Sequence, residues 1–177
     1  NWQPAGNFSG LSAASYSIAI RDRAHPLCIR IINNALTITQ PDALSATITP
    51  ANVSCFGSRD GSIIITEPHG GYGTYAYSIN GGSAWQGSGT FTNLAPGNYD
   101  VRIRDAEHPL CVQILNSSLE ITQPAVLNAA TAFTNVTCFG ASDGTITITS
   151  PTGGHNNYEY SVNGGIYWQP SGNFTGL

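Results

Sequence analysis

The sequence predicts an all-β protein made of tandem antiparallel β-sandwiches, immunoglobulin-like or fibronectin-like, repeating every 83 residues. Three observations carry that reading. Shifting the 177-residue chain by 83 positions lays Trp2 on Trp85 on Trp168, Cys28 on Cys111, Cys55 on Cys138 and Gln40-Pro41 on Gln123-Pro124 without a gap, and self-similarity at a fixed period is the mark of a repeat architecture. Apolar residues alternate with polar ones along most of the repeat, the period of a half-buried strand, and helical spacing does not occur. Turn-forming clusters separate the apolar runs at roughly 8 to 12 residues, which suits six or seven short strands in a sandwich.

The strands follow in order. Ile63 and Ile65 match Ile146 and Ile148, whereas Ile64 matches Thr147, so positions 63 and 65 face inward. Tyr75, Tyr77 and Ile79 form the next inward face, echoed by Tyr158, Tyr160 and Val162. Tyr99, Val101 and Ile103 alternate with Asp100, Arg102 and Arg104, as Tyr16, Ile18 and Ile20 do in the earlier copy. After Cys111 the inward set reads Val112 and Ile114, then Leu119 and Ile121, with a change of parity that implies a bulge near Asn116. Turns are written as Asp60-Gly61, His69-Gly70-Gly71, Asn80-Gly81-Gly82 and Ala95-Pro96-Gly97. The string Leu94-Ala-Pro-Gly97-Asn-Tyr99 has the form of a tyrosine corner, with Tyr16 in the same position of the preceding copy.

One repeat is complete, at residues 42–124 between two copies of Ile-Thr-Gln-Pro, where proline removes a ladder donor and marks a joint. Residues 1–41 read as the C-terminal half of a repeat and residues 125–177 as the N-terminal half of the next. The chain is therefore expected to be a window on a longer array. Each half-sandwich lacks its complement and is expected to find one along the chain or in a neighbouring molecule.

Composition narrows function. The chain has no lysine, six arginines and a net charge of -4, with only 9% charged residues. It offers no cationic surface for nucleic acid, and none of its apolar runs approaches a membrane span. Low charge with abundant Thr, Ser and Asn is a composition common among secreted β-proteins, which points to an extracellular setting.

The ordered set Val-Ser-Cys55-Phe-Gly, Asp60-Gly61, Gly70-Gly71, Tyr75-Ala-Tyr77-Ser, Leu94-Ala-Pro-Gly97-Asn-Tyr99, Ile103-Arg-Asp105, Cys111 and Ile121-Thr-Gln-Pro124 resembles the SprB repeat of Bacteroidetes. That resemblance implies a segment of a large surface adhesin, exported by type IX secretion and, in gliding species, moved along the cell surface. One departure is the turn Asp105-Ala-Glu-His108-Pro-Leu-Cys111, longer than the short Asp-Ala-Asn-Gly-Cys turn usual in the family.

Candidate chemistry is sparse. An even cysteine count in this setting favours disulfides over zinc. The favoured pairing is Cys55 with Cys111 inside one repeat, leaving Cys28 and Cys138 to partners beyond the window; the alternatives are Cys28–Cys55 with Cys111–Cys138 across repeats, or free thiols. Asp60 and Asp143 read as turn formers, and Asp22 and Asp105 as strand-end residues. No acidic cluster has the spacing of a calcium loop, so no cofactor is expected, with calcium the sole one left open. No Ser-His-Asp or His-rich set recurs between copies, and no enzyme activity is expected. Trp85 and Trp168 are candidates for stacking on a sugar ring, against a plain packing role at the sandwich edge. The expected partners are neighbouring repeats and a surface polysaccharide or glycan.

Overall fold

The computed structural model describes residues 2–177 and contains eleven strands. The complete repeat holds six: β3 (Ser45–Ala51), β4 (Gly61–His69), β5 (Tyr75–Ser78), β6 (Thr90–Leu94), β7 (Gly97–Asp105) and β8 (Val112–Ile121). They form two antiparallel sheets, ordered β3-β4-β6 and β5-β7-β8. In immunoglobulin lettering these are an A-B-E sheet without its D strand and a C-F-G sheet. The core lies between them: Ile63, Val101 and Ile103 are fully buried, with Val53, Ile65, Tyr77 and Ile121 close behind. The alternation of Ile63 with Ile65 and of Val101 with Ile103 thus marks the two inner faces.

The flanking copies repeat this plan in part. Strands β1 (Ala14–Arg21) and β2 (Ile29–Ile38) stand 83 residues before β7 and β8 and pair as a two-stranded ribbon. Strands β9 (Asn128–Thr134), β10 (Thr145–Thr152) and β11 (Asn173–Thr175) correspond to β3, β4 and β6 and pair in the same order. The counterpart of β5, around Tyr158–Ser161, forms no strand and keeps only the bridge Tyr160 to Gln169. Since β5 pairs with β7, its strand geometry comes from its neighbour.

Parity in β8 differs from the sequence expectation. The ladder with β7 slips by one residue between Tyr99 and Val101 and again between Val101 and Arg102. Two slips of one residue restore the original parity, so Leu115, with Leu119 and Ile121, packs on the core, while Val112 and Ile114 are exposed. The bulge expected near Asn116 is there, with Asn116 opposite Val101, but it is double. The same pair of slips recurs between β1 and β2, where Ile18 faces Asn33.

Close backbone approach explains one glycine in each copy. A Cβ on Gly70 would stand 2.1 Å from the Ala43 carbonyl oxygen, and one on Gly153 would stand 2.0 Å from that of Val126. Both residues also have left-handed φ, at 82° and 79°.

Candidate functional site: the two poles of the repeat

The chain enters the complete repeat at Asp42 and leaves it at Gln123, at opposite ends of the sandwich. At the leading pole the Gly71 amide donates to the Asp42 carbonyl at 2.9 Å. Asp105, fully buried at the end of β7, accepts from the amides of Tyr72 (2.6 Å), His108 (2.9 Å) and Glu107 (3.0 Å). Burial by itself would push this carboxyl up; the hydrogen bonds from Tyr72, His108 and Glu107 outweigh it and hold it below the usual carboxylate range. The Tyr72 ring stacks on His108 with centroids 4.0 Å apart. Sequence reading placed Asp105 at a strand end but missed that it ties three segments together. Its available signal was the recurrence of Asp22 and Asp105 at the head of the same long turn.

At the trailing pole the Val53 amide donates to the Thr122 carbonyl at 3.2 Å, and the Thr122 amide to Asn52 Oδ1 at 2.9 Å. The Gly57 amide reaches Gln123 Oε1 at 2.9 Å. Asp60 accepts from the Ser54 amide at 3.0 Å, and Asp143 from the Thr137 hydroxyl and amide at 2.6 and 3.0 Å. These bonds, from Ser54 and Thr137 respectively, hold both carboxyls low. Both aspartates serve as turn formers.

The poles decide where the thiols lie. Cys111 belongs to the leading pole, its amide bonded to the His108 carbonyl at 2.8 Å and its carbonyl accepting from Asp105. Cys55 belongs to the trailing pole, two residues from Val53 and Gly57. The ten residues of β8 separate these ends, about 33 Å at strand rise, whereas a disulfide needs Cα atoms within about 7 Å. The favoured Cys55–Cys111 pairing is therefore not made, and all four cysteines are free and exposed. The alternative Cys28–Cys55 and Cys111–Cys138 pairs within one chain meet the same obstacle. Each would join the far ends of the strands that run into and out of one joint.

Tyr99 and Tyr16 occupy the corner position: their hydroxyls donate to the carbonyls of Ala95 (2.8 Å) and Ser12 (2.7 Å). Trp85 is half-buried. Its indole Nε1 donates to the Gly82 carbonyl at 2.8 Å, and the Arg104 guanidinium lies 4.5 Å above its ring. Trp2 and Arg21 reproduce this stack at 4.4 Å. Trp168 repeats the indole bond to Gly165 and is 53% exposed. Arg104 thus covers one face of Trp85 that a sugar ring would use. Among the described residues no group of three or more His, Cys, Asp or Glu is placed to hold a metal ion.

Sequence reading also missed the network in the Asn-Gly-Gly loop. Buried Ser78 Oγ donates to Asn80 Oδ1 and accepts from the Gly82 amide, each at 2.9 Å. Ser161, Asn163 and Gly165 repeat it at 2.8 and 2.9 Å. The recurrence of Ser-x-Asn-x-Gly in both copies was its signal.

Fold and period define the class: an all-β repeat protein, with one two-sheet β-sandwich flanked by partial copies of the same plan. The family model of the SprB repeat matches residues 47–84 and 130–165, with starts 83 residues apart. These two segments are SprB repeats. No curated protein and no solved structure matches the chain.

Proposed function

We propose that this chain is a segment of a long extracellular filament whose repeats carry cell-surface attachment. The family supplies the coarse statement, a surface-adhesin-like repeat. The observation that supports the finer one is polarity: chain entry and exit lie at opposite poles, so each added repeat lengthens the array instead of folding back on it. At the second joint the Ser54 carbonyl, on the trailing pole of the complete repeat, meets His155 Nε2 of the next repeat at 3.0 Å. An array of this kind multiplies weak contacts along its length and raises avidity without a strong single site. In a gliding cell the same filament would serve motility. A purely structural spacer is the rival reading, favoured by the Arg104 guanidinium that covers Trp85.

Binding of the 177-residue chain, and of tandem fusions of it, to bacterial surface polysaccharides and to glycan arrays separates the two. Retention that rises steeply with repeat number supports attachment. Absence of binding at every length supports the spacer.

A further inference from the structure

We propose that the outer face of the β5-β7-β8 sheet binds carboxylated polysaccharide, the Arg104 guanidinium taking the carboxylate of a uronate sugar while Val112 and Ile114 carry the apolar face of its ring. This rests on the attachment reading and names the class of glycan.

Strand β7 sets the two faces of the sheet. Val101, Ile103 and Asp105 are buried against the core, so Arg102 and Arg104, which alternate with them, point outward. Residues paired across a ladder share a face. Arg104 stands between Ala76 of β5 and Val112 of β8, and Arg102 between Ser78 and Ile114. The outer face therefore carries an aliphatic shelf beside the two arginines, with Val112 and Ile114 exposed at 43% and 48%.

The two arginines differ in their partners. Arg102 is neutralised: its Nε and one terminal nitrogen donate to the two carboxylate oxygens of Asp100 at 2.8 and 2.6 Å. Arg104 is not. The ion pairs among the described residues are Asp22–His25, Asp100–Arg102 and Asp105–His108, and none reaches it. The other acid on this face, Glu120, stands opposite Asn98, six residues down β7, about 20 Å away at strand rise. Arg104 Nε is buried without a hydrogen-bond partner. The guanidinium is held 4.5 Å over the Trp85 ring, and Trp85 is itself tied to the Gly82 carbonyl. A half-buried cation with unmade hydrogen bonds is unfavourable, and an anion that supplies the acceptors relieves it. Since Nε alone is both buried and unpartnered, the two terminal nitrogens are open to solvent. A carboxylate in their plane takes two parallel N–H bonds. Trp85 is then a positioning residue, and Arg104 the contact.

The arrangement recurs. In the preceding copy the Arg21 guanidinium lies 4.4 Å over the Trp2 ring, Arg21 pairs with Ile29, and Ala19 pairs with Ile31. Between the copies Asp100 and Arg102 give way to Ser17 and Ala19, while the tryptophan, its arginine and the aliphatic pair are kept. A site repeated every 83 residues suits a ligand that itself repeats. A polyuronate presents one carboxylate per sugar, beside an apolar ring face of C–H groups that fits the Val112–Ile114 shelf. The net charge of -4 repels a polyanion at long range, so the attraction is local to these arginines.

Affinity electrophoresis of the 177-residue chain tests this, in gels holding polygalacturonate, its carboxyl-reduced neutral form, or polyglutamate. Polygalacturonate should retard the chain and the neutral form should not. The double variant Arg21→Met/Arg104→Met keeps the apolar stack on each indole and should weaken retention about tenfold or more, the worth of a hydrogen-bonded charge pair. Arg23→Met/Arg59→Met removes the same charge at exposed loop positions and should stay within about twofold of the parent. Arg21→Lys/Arg104→Lys keeps the charge and loses the fork; melting like the parent, it should still bind less, so the loss is read in a folded chain. Lysine variants that bind as the parent does overturn the bidentate contact. Equal retention by the neutral polysaccharide overturns the carboxylate site and leaves the attachment reading standing, whereas no retention by either polysaccharide counts against both. Arginine-dependent retention by polyglutamate equal to that by polygalacturonate overturns the sugar and makes an acidic protein the partner.

Discussion

The Tyr99 hydroxyl donates to the carbonyl of Ala95, four residues upstream, at 2.8 Å. This bond pins the β6–β7 turn, one of the three places where the chain crosses between the β3-β4-β6 and β5-β7-β8 sheets. Tyr99→Phe keeps the ring packed and leaves the half-buried carbonyl without its donor. The expected loss is about 1 to 2 kcal/mol, read as a lower denaturant midpoint in the 177-residue chain. An unchanged midpoint would show that the hydroxyl does no structural work.

Asp105 sets an acid limit on the leading pole. Its carboxyl is held below the ordinary range in the folded state by bonds from Tyr72, His108 and Glu107 that outweigh its burial. A group depressed in this way contributes stability above its unfolded pKa and loses it as pH falls through the folded value. Thermal stability should therefore decline from the normal carboxylate range downward. Asp105→Asn should be less stable at neutral pH and show a shallower decline on acidification; an acid limb as steep as that of the unaltered chain would assign the loss to other carboxyls.

Gly70 and Gly87 make a matched pair. Alanine at 70 meets the Ala43 carbonyl oxygen and a left-handed φ, whereas a Cβ at 87 would find nothing within 4 Å. Gly70→Ala should cost about 2 to 4 kcal/mol, and Gly87→Ala should stay within roughly 0.5 kcal/mol of the parent. Equal effects in urea titrations would contradict the close approach of the 69–71 turn to the incoming chain.

Trp85 and Trp168 are expected to part company. Trp85→Ala removes an indole held by Gly82 and covered by Arg104 and should lower stability by about 2 kcal/mol. Trp168→Ala removes a ring that is 53% exposed and should leave the melting of the complete repeat unmoved. Calorimetry decides; if Trp85→Ala instead melts like the parent and loses glycan retention, Trp85 is a contact residue.

Much of this molecule is written locally. The 83-residue period, the inner faces of β4 and β7, and the tyrosine corner all rest on alternation and turn chemistry over a few residues. For that reason they recur in copies with different surroundings. The Ser78–Asn80–Gly82 network reappears at Ser161–Asn163–Gly165 although no sheet closes over it there. Three features needed the tertiary structure. The segment at 75–78 is a strand and its counterpart at 158–161 is not, because strand geometry there depends on pairing with β7. Leu115 instead of Ile114 faces the core, because a double slip cancels itself, and a sequence can suggest a bulge without saying how many residues it absorbs. The cysteines of one repeat lie at opposite poles, because strand direction sets distance in space. That a repeat folding as a unit is best served by an internal bridge had suggested Cys55 with Cys111, and the length of β8 forbids it.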